Sequence, residues 1–148
     1  METHDPVDVL VIEDDMPIQR LLAHIVARMG YSCECAEDGV DGLSAIRRRD
    51  PRVVILDLLL PRANGFEVLR HLNSTSPEVL ARIIIVTAAS DSTYSGCAEI
   101  AMTRGVIRKP IDIDMLASEI EACHSGSALT PIPPGQPSRV SRLRGREH

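Results

Sequence analysis

The sequence contains very few aromatic residues, which make up 2% of its 148 positions, whereas hydrophobic residues of all kinds make up 44%. A hydrophobic share of this size favours a globular fold over disorder. The chain is also long enough to form one domain with a sizeable core. We therefore expect a core that is built almost entirely from aliphatic side chains.

The sequence also lacks long apolar runs, and no stretch approaches the about 20 residues that a membrane-spanning helix needs. Its first ten residues, METHDPVDVL, do not place a basic segment before an apolar one, so they do not resemble a signal peptide. Both absences lead us to expect a soluble, cytoplasmic protein that has no membrane partner.

A zinc site is disfavoured because none of the four cysteines belongs to a C-x-x-C pair. We expect all four to be buried, reduced thiols: Cys33, Cys35, Cys97 and Cys123.

The net charge of −5 is unevenly distributed along the chain. Residues 125–148 contain four arginines and one glutamate, so residues 1–124 carry a charge of −8. An acidic body argues against direct binding of nucleic acid. The end of the chain is rich in proline, serine and arginine and shows no apolar periodicity. We predict one domain over residues 1–124 and a flexible tail over residues 125–148.

Five short apolar runs alternate with amphipathic segments along the domain. The runs Val53–Leu56 and Ile83–Val86 are uninterrupted and rich in β-branched residues, as in strands that are covered on both faces. Ser32–Ala36 alternates more, which is typical of an edge strand. The other two predicted strands are Val7–Ile12 and Val106–Arg108.

Apolar residues at helical spacing predict a helix after each strand. The first is predicted from Pro17 to just before Gly30, and Asp38 and Asp112 are expected to cap the second and the fifth. The fourth, over Asp91–Met102, is only weakly amphipathic. This alternation implies an α/β fold: a doubly wound, five-stranded parallel sheet in the flavodoxin-like order 2-1-3-4-5, with helices on both faces.

Polar residues follow the predicted strands at their carboxyl ends. Glu13 and Asp14 follow the first strand, Asp57 the third, Thr87 the fourth and Lys109 the fifth. The order of the sheet reverses between strands one and three, where such sheets bind ligands, so the three carboxylates should converge there. Converging carboxylates need a cation, and oxygen ligands suit Mg²⁺. An aspartate can act as the nucleophile in phosphoryl transfer, with an ammonium and a hydroxyl to bind the phosphoryl group.

The segments that carry these residues resemble the receiver domains of response regulators in bacterial two-component signalling. The resemblance covers the chain from about Val7 to His124. It rests on four stretches in the right order: Val11–Asp15, Leu56–Pro61 with Gly65, Val86–Ala88 and Lys109–Pro110.

This resemblance implies that Asp57 accepts a phosphoryl group from a phosphohistidine on a sensor histidine kinase or a histidine phosphotransfer protein. Asp14 and Asp57 would then ligate Mg²⁺, Glu13 would bind it through water, and the backbone carbonyl of Leu59 would add a further ligand. Lys109 would bind the phosphoryl group. Such a protein is not a conventional enzyme, since it catalyses only its own phosphorylation and dephosphorylation.

The resemblance also assigns the switch hydroxyl to Thr87 and predicts a cis bond between Lys109 and Pro110. One position departs from the family pattern, because Val106 stands where the family usually has Tyr or Phe. A downstream protein is expected to bind the face formed by helix four, strand five and helix five, without an aromatic switch residue at that position. Formation of a homodimer stays open.

Three other functions compete with this reading. A haloacid-dehalogenase-like phosphatase needs a second aspartate two residues after the first, where Leu59 stands. A nucleotide-binding domain needs a glycine-rich loop after the first strand, where an acidic segment begins at Glu13. A degenerate receiver that acts as an unphosphorylated protein-interaction module stays open because of Val106.

Overall fold

The computed structural model describes residues 6–126, apart from the side chain of Asp91. All but the first two residues of the predicted tail lie outside the described residues. Within the described part, no helix has the length and the apolar composition to cross a membrane.

Five parallel strands form one sheet in the order β2-β1-β3-β4-β5, which confirms the predicted fold class and strand order. The strands are β1 (Val9–Ile12), β2 (Cys33–Ala36), β3 (Val53–Leu56), β4 (Ile83–Thr87) and β5 (Gly105–Arg108). The helices that connect and follow them are α1 (Met16–Arg28), α2 (Gly39–Arg49), α3 (Gly65–Thr75), α4 (Asp91–Tyr94) and α5 (Ile113–His124). Two 3₁₀ segments, Pro77–Arg82 and Ala98–Met102, precede β4 and β5.

The core consists of two aliphatic clusters, one on each face of the sheet. Residues of α1 and α5 pack against one face, and residues of α2 and α3 pack against the other. Every residue of β1, β3 and β4 is buried, as expected for parallel strands that are covered on both faces. The edge strand β2 is largely accessible by comparison.

Four helices begin at a polar residue whose side chain accepts a hydrogen bond from the backbone N–H three residues later. These capping residues are Asp15, Asp38, Asn64 and Asp112, before α1, α2, α3 and α5 respectively. Such caps satisfy donors that the first turn of a helix leaves unpaired. The predicted helix starts at Asp38 and Asp112 are thereby confirmed.

The predicted fourth helix was wrong in length. Helix α4 ends at Tyr94, and a separate 3₁₀ segment, Ala98–Met102, follows it. Ser95 and Gly96 lie between the two, and both residue types disfavour a helix interior. Of the large apolar side chains here, Tyr94 and Ile100 are buried, so little apolar surface holds a longer helix in place.

The expectation of buried thiols was also wrong for part of the set. Cys123 is buried, Cys33 and Cys97 are half-buried, and Cys35 is exposed; all four are free. Cys35 is exposed because β2 forms the edge of the sheet, which α1 and α2 do not cover completely.

Candidate functional site

The carboxyl ends of the strands bring the predicted site residues to one edge of the sheet. Ile12 of β1 is in register with Leu56 of β3, so the residues that follow them, Glu13 and Asp57, leave adjacent strands side by side. The backbone N–H of Asp57 donates to the carbonyl of Ile12 at 3.1 Å, which continues the ladder to the site.

Three carboxylates converge at this edge, as the sequence predicts. One carboxylate oxygen from each of Glu13, Asp14 and Asp57 lies within 4.8 Å of the other two. Glu13 and Asp57 are only 1% and 5% exposed, whereas Asp14 is exposed. Clustered, partly buried carboxylates repel one another, and hard oxygen ligands of this kind fit a divalent cation such as Mg²⁺. The cluster could therefore hold a metal ion.

Lys109 connects two of these acids. Its ammonium nitrogen lies 2.8 Å from Glu13 Oε1 and 3.2 Å from Asp57 Oδ2. It is also the only lysine of the chain, because every other residue in the total of 16 Lys and Arg is an arginine. A compact ammonium places its charge between two carboxylates more readily than a planar guanidinium fork does. The composition is thus a signal for this site that the motifs alone do not contain.

Burial and charge act against each other on the ionisable groups of the site. Burial raises the pKa of the Glu13 carboxyl, and the hydrogen bond from Lys109 opposes this increase. For the amine, burial acts to lower the pKa, but the hydrogen bond to Glu13 and the negative charge of Asp57 outweigh it and raise the pKa of Lys109. The raised pKa of Lys109 keeps its amine protonated between its two partners at neutral pH.

Backbone donors fix the second oxygen of each buried acid. Asp57 Oδ1 accepts the N–H of Leu59 at 3.1 Å, and Glu13 Oε2 accepts the N–H of Asp15 at 3.1 Å. Gln19 of α1 is buried and donates its amide to the carbonyl oxygen of Glu13 at 2.8 Å. The motifs did not identify Gln19, since a contact from a loop to the first turns of the next helix leaves no spacing pattern.

Gly65 is needed where α3 begins beside the Asp57 segment. A β-carbon at this position would lie 2.5 Å from the α-carbon of Leu58 and 2.6 Å from the carbonyl oxygen of Asp57. Any side chain would therefore push the helix away from the loop that carries Asp57. This close approach explains the glycine that is part of the sequence motif.

Thr87 is buried and is the last residue of β4. Its hydroxyl oxygen accepts the N–H of Ala89 at 3.2 Å, and its carbonyl accepts the N–H of Lys109 at 2.9 Å. Within residues 6–126 the Thr87 hydroxyl forms no hydrogen bond with the three carboxylates. The Lys109–Pro110 peptide bond is cis, which confirms that prediction.

An aromatic ring belongs to the core cluster that contains Val106, but it comes from α4 and not from β5. Val106 is fully buried, and Tyr94, which is 5% exposed, belongs to the same core cluster, together with Ala89. The sequence did not reveal that Tyr94 is buried in this cluster, because a longer helix was predicted here and Tyr94 was not assigned to its buried face.

A family model of the response regulator receiver domain matches residues 9–121. The chain belongs to the response regulator receiver family. Receivers of this family act in bacterial two-component signalling, where they interact with histidine kinases and downstream effectors, and they are generally not classical enzymes. Membership decides against the phosphatase and the nucleotide-binding alternatives.

Curated relatives of this receiver include the response regulator MprA of Mycobacterium sp. (strain KMS), which is 35% identical over 118 residues, or 79% of this chain and 50% of the relative. MprA of Mycobacterium leprae is 33% identical over 115 residues, or 77% of this chain and 49% of the relative. The receiver thus spans about half the length of the curated relatives that it matches.

Solved receiver domains share its fold. The receiver domain of NtrX from Brucella abortus aligns with a TM-score of 0.70 at 28% identity, over 81% of this chain and 100% of that one. The receiver domain of a sensor histidine kinase from Pseudomonas aeruginosa aligns with a TM-score of 0.72 at 18% identity, over 82% and 99% of the two chains. That structure contains a magnesium ion coordinated in its active site cleft.

We predict that Lys109→Met lowers the free energy of unfolding at neutral pH by at most about 3 kcal/mol, the lower end for a broken buried ion pair, because Asp14 leaves the site open to water. In this variant Glu13 and Asp57 lose the ammonium that lies between them. Since burial already raises the pKa of Glu13, the variant should be most stable below the ordinary value of 4.5 and lose stability as the pH rises.

Urea unfolding without divalent cations, from acidic to neutral pH, measures this difference. Arg20→Met, which removes an exposed cation from α1, is the matched control and should change stability little at any pH. A deficit of Lys109→Met that is constant across the pH range would contradict the explanation.

Proposed function

We propose that this receiver accepts a phosphoryl group onto Asp57 from a phosphohistidine on a sensor histidine kinase or a histidine phosphotransfer protein, in a Mg²⁺-dependent reaction. The observation that carries the proposal is the cluster in which one ammonium contacts two of three converging carboxylates. A lone aspartate at a strand end would have a structural role, whereas this cluster provides both a nucleophile and the charges that phosphoryl transfer needs.

The residues of the site divide the chemistry among them. A carboxylate oxygen of Asp57 forms a bond to phosphorus while the bond from phosphorus to the histidine nitrogen breaks, and the released imidazole takes up a proton. Lys109 binds an oxygen of the transferred group and offsets its charge. The Leu59 N–H, which donates to Asp57 Oδ1, orients the nucleophile before the donor arrives.

The carboxylates of Glu13, Asp14 and Asp57 are the proposed metal-binding groups, with Glu13 acting through water and the backbone carbonyl of Leu59 as a further ligand. Bound Mg²⁺ would offset the negative charge of the acids and of the phosphoryl group. In the phosphorylated protein the Thr87 hydroxyl would leave the Ala89 N–H and bind a phosphoryl oxygen. This exchange would link the site to the loop before α4.

The competing proposal is a degenerate receiver that binds its partner without phosphorylation. Val106 favours it, since the family aromatic is missing from β5. The intact acidic cluster and Lys109 favour phosphorylation. Uptake of a phosphoryl group from a small donor separates the two proposals.

Incubation with acetyl phosphate and Mg²⁺ should add one phosphoryl group to the protein, and Asp57→Asn should prevent this addition because the amide is no nucleophile. Intact-mass spectrometry measures the gain directly. Asp114→Asn, which alters an exposed acid in the first turn of α5, is the matched control and should be phosphorylated like the wild type. Equal labelling of Asp57→Asn, or no labelling of the wild type, would rule out Asp57 phosphorylation as proposed.

Mg²⁺ should raise the thermal stability of the receiver, because a ligand that binds the folded state alone stabilises it. Asp14→Ala should lose most of this Mg²⁺-induced gain, and Glu13→Ala should lose less, because Glu13 is proposed to act through water. Thermal-shift curves with and without Mg²⁺ give the gain for each variant, with Asp114→Asn again as the control. A full gain in Asp14→Ala would show that Mg²⁺ binds elsewhere.

The proposal extends to the rest of the protein. Residues 1–124 would form the receiver domain and residues 125–148 a tail, in a cytoplasmic protein. A downstream protein would bind the face formed by α4, β5 and α5. On this face Tyr94 would take the role that an aromatic residue at position 106 would otherwise have, since its buried ring lies in the same cluster as Val106. Self-association into a homodimer would use a surface of the same domain.

The two tyrosines of the chain allow a direct measurement on this face. With fluorotyrosine incorporated, beryllofluoride and Mg²⁺ should shift the fluorine NMR signal of Tyr94 more than that of Tyr31. Tyr31 lies just before β2, at the edge of the sheet opposite β5, and its ring stacks on His124 at the end of α5. The Tyr31→Phe variant assigns the two signals. If Mg²⁺ and beryllofluoride stabilise the protein while the Tyr94 signal stays fixed, the proposed role of Tyr94 in output is contradicted, whereas the proposed acidic site is supported.

A further inference from the structure

Two cysteines of the edge strand lie outside the acidic site and have no part in the proposed phosphoryl transfer. Cys33 and Cys35 are two residues apart on β2, so their side chains project from the same face of the sheet. Cys33 packs against the core cluster that α1 covers. Glu34, between them, points to the other face, where it pairs with Arg48 and Arg49 of α2.

The two thiol side chains share one face of β2, and Cys33 Sγ donates a hydrogen bond to the carbonyl oxygen of Glu34 at 3.8 Å. The neighbouring thiol of Cys35 raises the pKa of Cys33, with burial adding to the increase, and the thiol of Cys33 lowers the pKa of Cys35. Both cysteines are free, and Cys35 is exposed at the edge of the sheet. Cys35 is therefore the thiol that ionises first and that a solute reaches first, with Cys33 beside it as a second sulfur ligand.

The extended strand disfavours a disulfide between these two residues. Same-face neighbours in a strand are separated by about 6.6 Å, twice the rise per residue. A disulfide needs β-carbons only about 3.5–4.5 Å apart, so it would bend β2 away from its ladder with β1. An ion held by two sulfur atoms at about 2.3 Å each needs them only within about 4.6 Å, and rotation of the two same-face side chains about χ1 allows this approach without a change in the strand.

We propose that Cys33 and Cys35 form a binding site for a soft, monovalent metal ion of the Cu(I) class, held between their two sulfur atoms. Thiolates select soft ions, whereas Mg²⁺ prefers oxygen ligands. Zn²⁺ takes four ligands, and within residues 6–126 only Glu13, Asp14 and Asp57 form a cluster of three or more groups that could ligate a metal. The pair of thiols therefore suits an ion that is satisfied by two ligands.

Binding balances as two thiols plus one monovalent cation giving one bis-thiolate complex with a single negative charge and two released protons. No oxidant or reductant takes part, provided that the ion is supplied as Cu(I). The site is also separate from the acidic cluster in its chemistry, because one set of ligands is sulfur and the other is oxygen. Mg²⁺ should consequently leave Cu(I) binding unchanged.

Anaerobic titration of the reduced, full-length protein with Cu(I), in competition with a coloured Cu(I) chelator, tests the proposal. One ion should bind per chain, with an ultraviolet absorption band from thiolate-to-copper charge transfer. Cys35→Ser and Cys33→Ser should each weaken binding by more than the about 10–100-fold that the loss of a supporting residue costs, since each removes one of two ligands. Cys97→Ser is the matched control and should bind like the wild type.

Each result decides the matter. Loss of binding in both β2 variants, with Cys97→Ser unaffected, supports the site. Retention of binding in either β2 variant, loss in Cys97→Ser, or Zn²⁺ binding as tightly as Cu(I) overturns it. Cys35→Ser alters an exposed position, and its Mg²⁺-free thermal unfolding shows whether the variant is folded.

Discussion

The contact of one ammonium with two buried carboxylates is the interaction on which the receiver site depends. The register of β1 and β3 brings Glu13 and Asp57 together although their negative charges repel each other. Lys109 offsets part of this repulsion from the end of β5. Three carboxylates and one ammonium leave two net negative charges at the site, which one divalent cation compensates. The charge of the protein groups thus matches the ion that the proposed reaction requires.

The sequence allowed most of the sheet to be predicted, because its central strands are defined by uninterrupted, β-branched runs. Val53–Leu56 was predicted to the residue, and the strand order followed from the alternation of strands and helices. The convergence of the acids followed as well, since Glu13 and Asp57 stand directly after β1 and β3 and Asp14 follows Glu13. Parallel strands convert such positions in the sequence into neighbours in space.

Two predictions failed where the sequence itself carried a signal, and two residues were missed because contacts between distant residues decide their place. The fourth helix is interrupted because Ser95 and Gly96 disfavour helix and little apolar surface is there to hold it. Cys35 is exposed because it lies at the sheet edge, which the predicted edge strand Ser32–Ala36 already indicated. Gln19 and Tyr94 were missed because each is defined by packing or hydrogen bonding with another element: Gln19 donates to the Glu13 carbonyl, and Tyr94 is buried in the core cluster.

The presence of a single lysine has a further consequence for the covalent chemistry of this protein. Its other strongly basic side chains are guanidiniums, which stay protonated and do not react as amines. An acylating reagent therefore finds one side-chain amine, that of Lys109, and acylation there removes the positive charge between Glu13 and Asp57. In a lysine-rich protein most acyl groups would fall on surface amines without consequence, whereas here any side-chain amine that is acylated belongs to the acidic site.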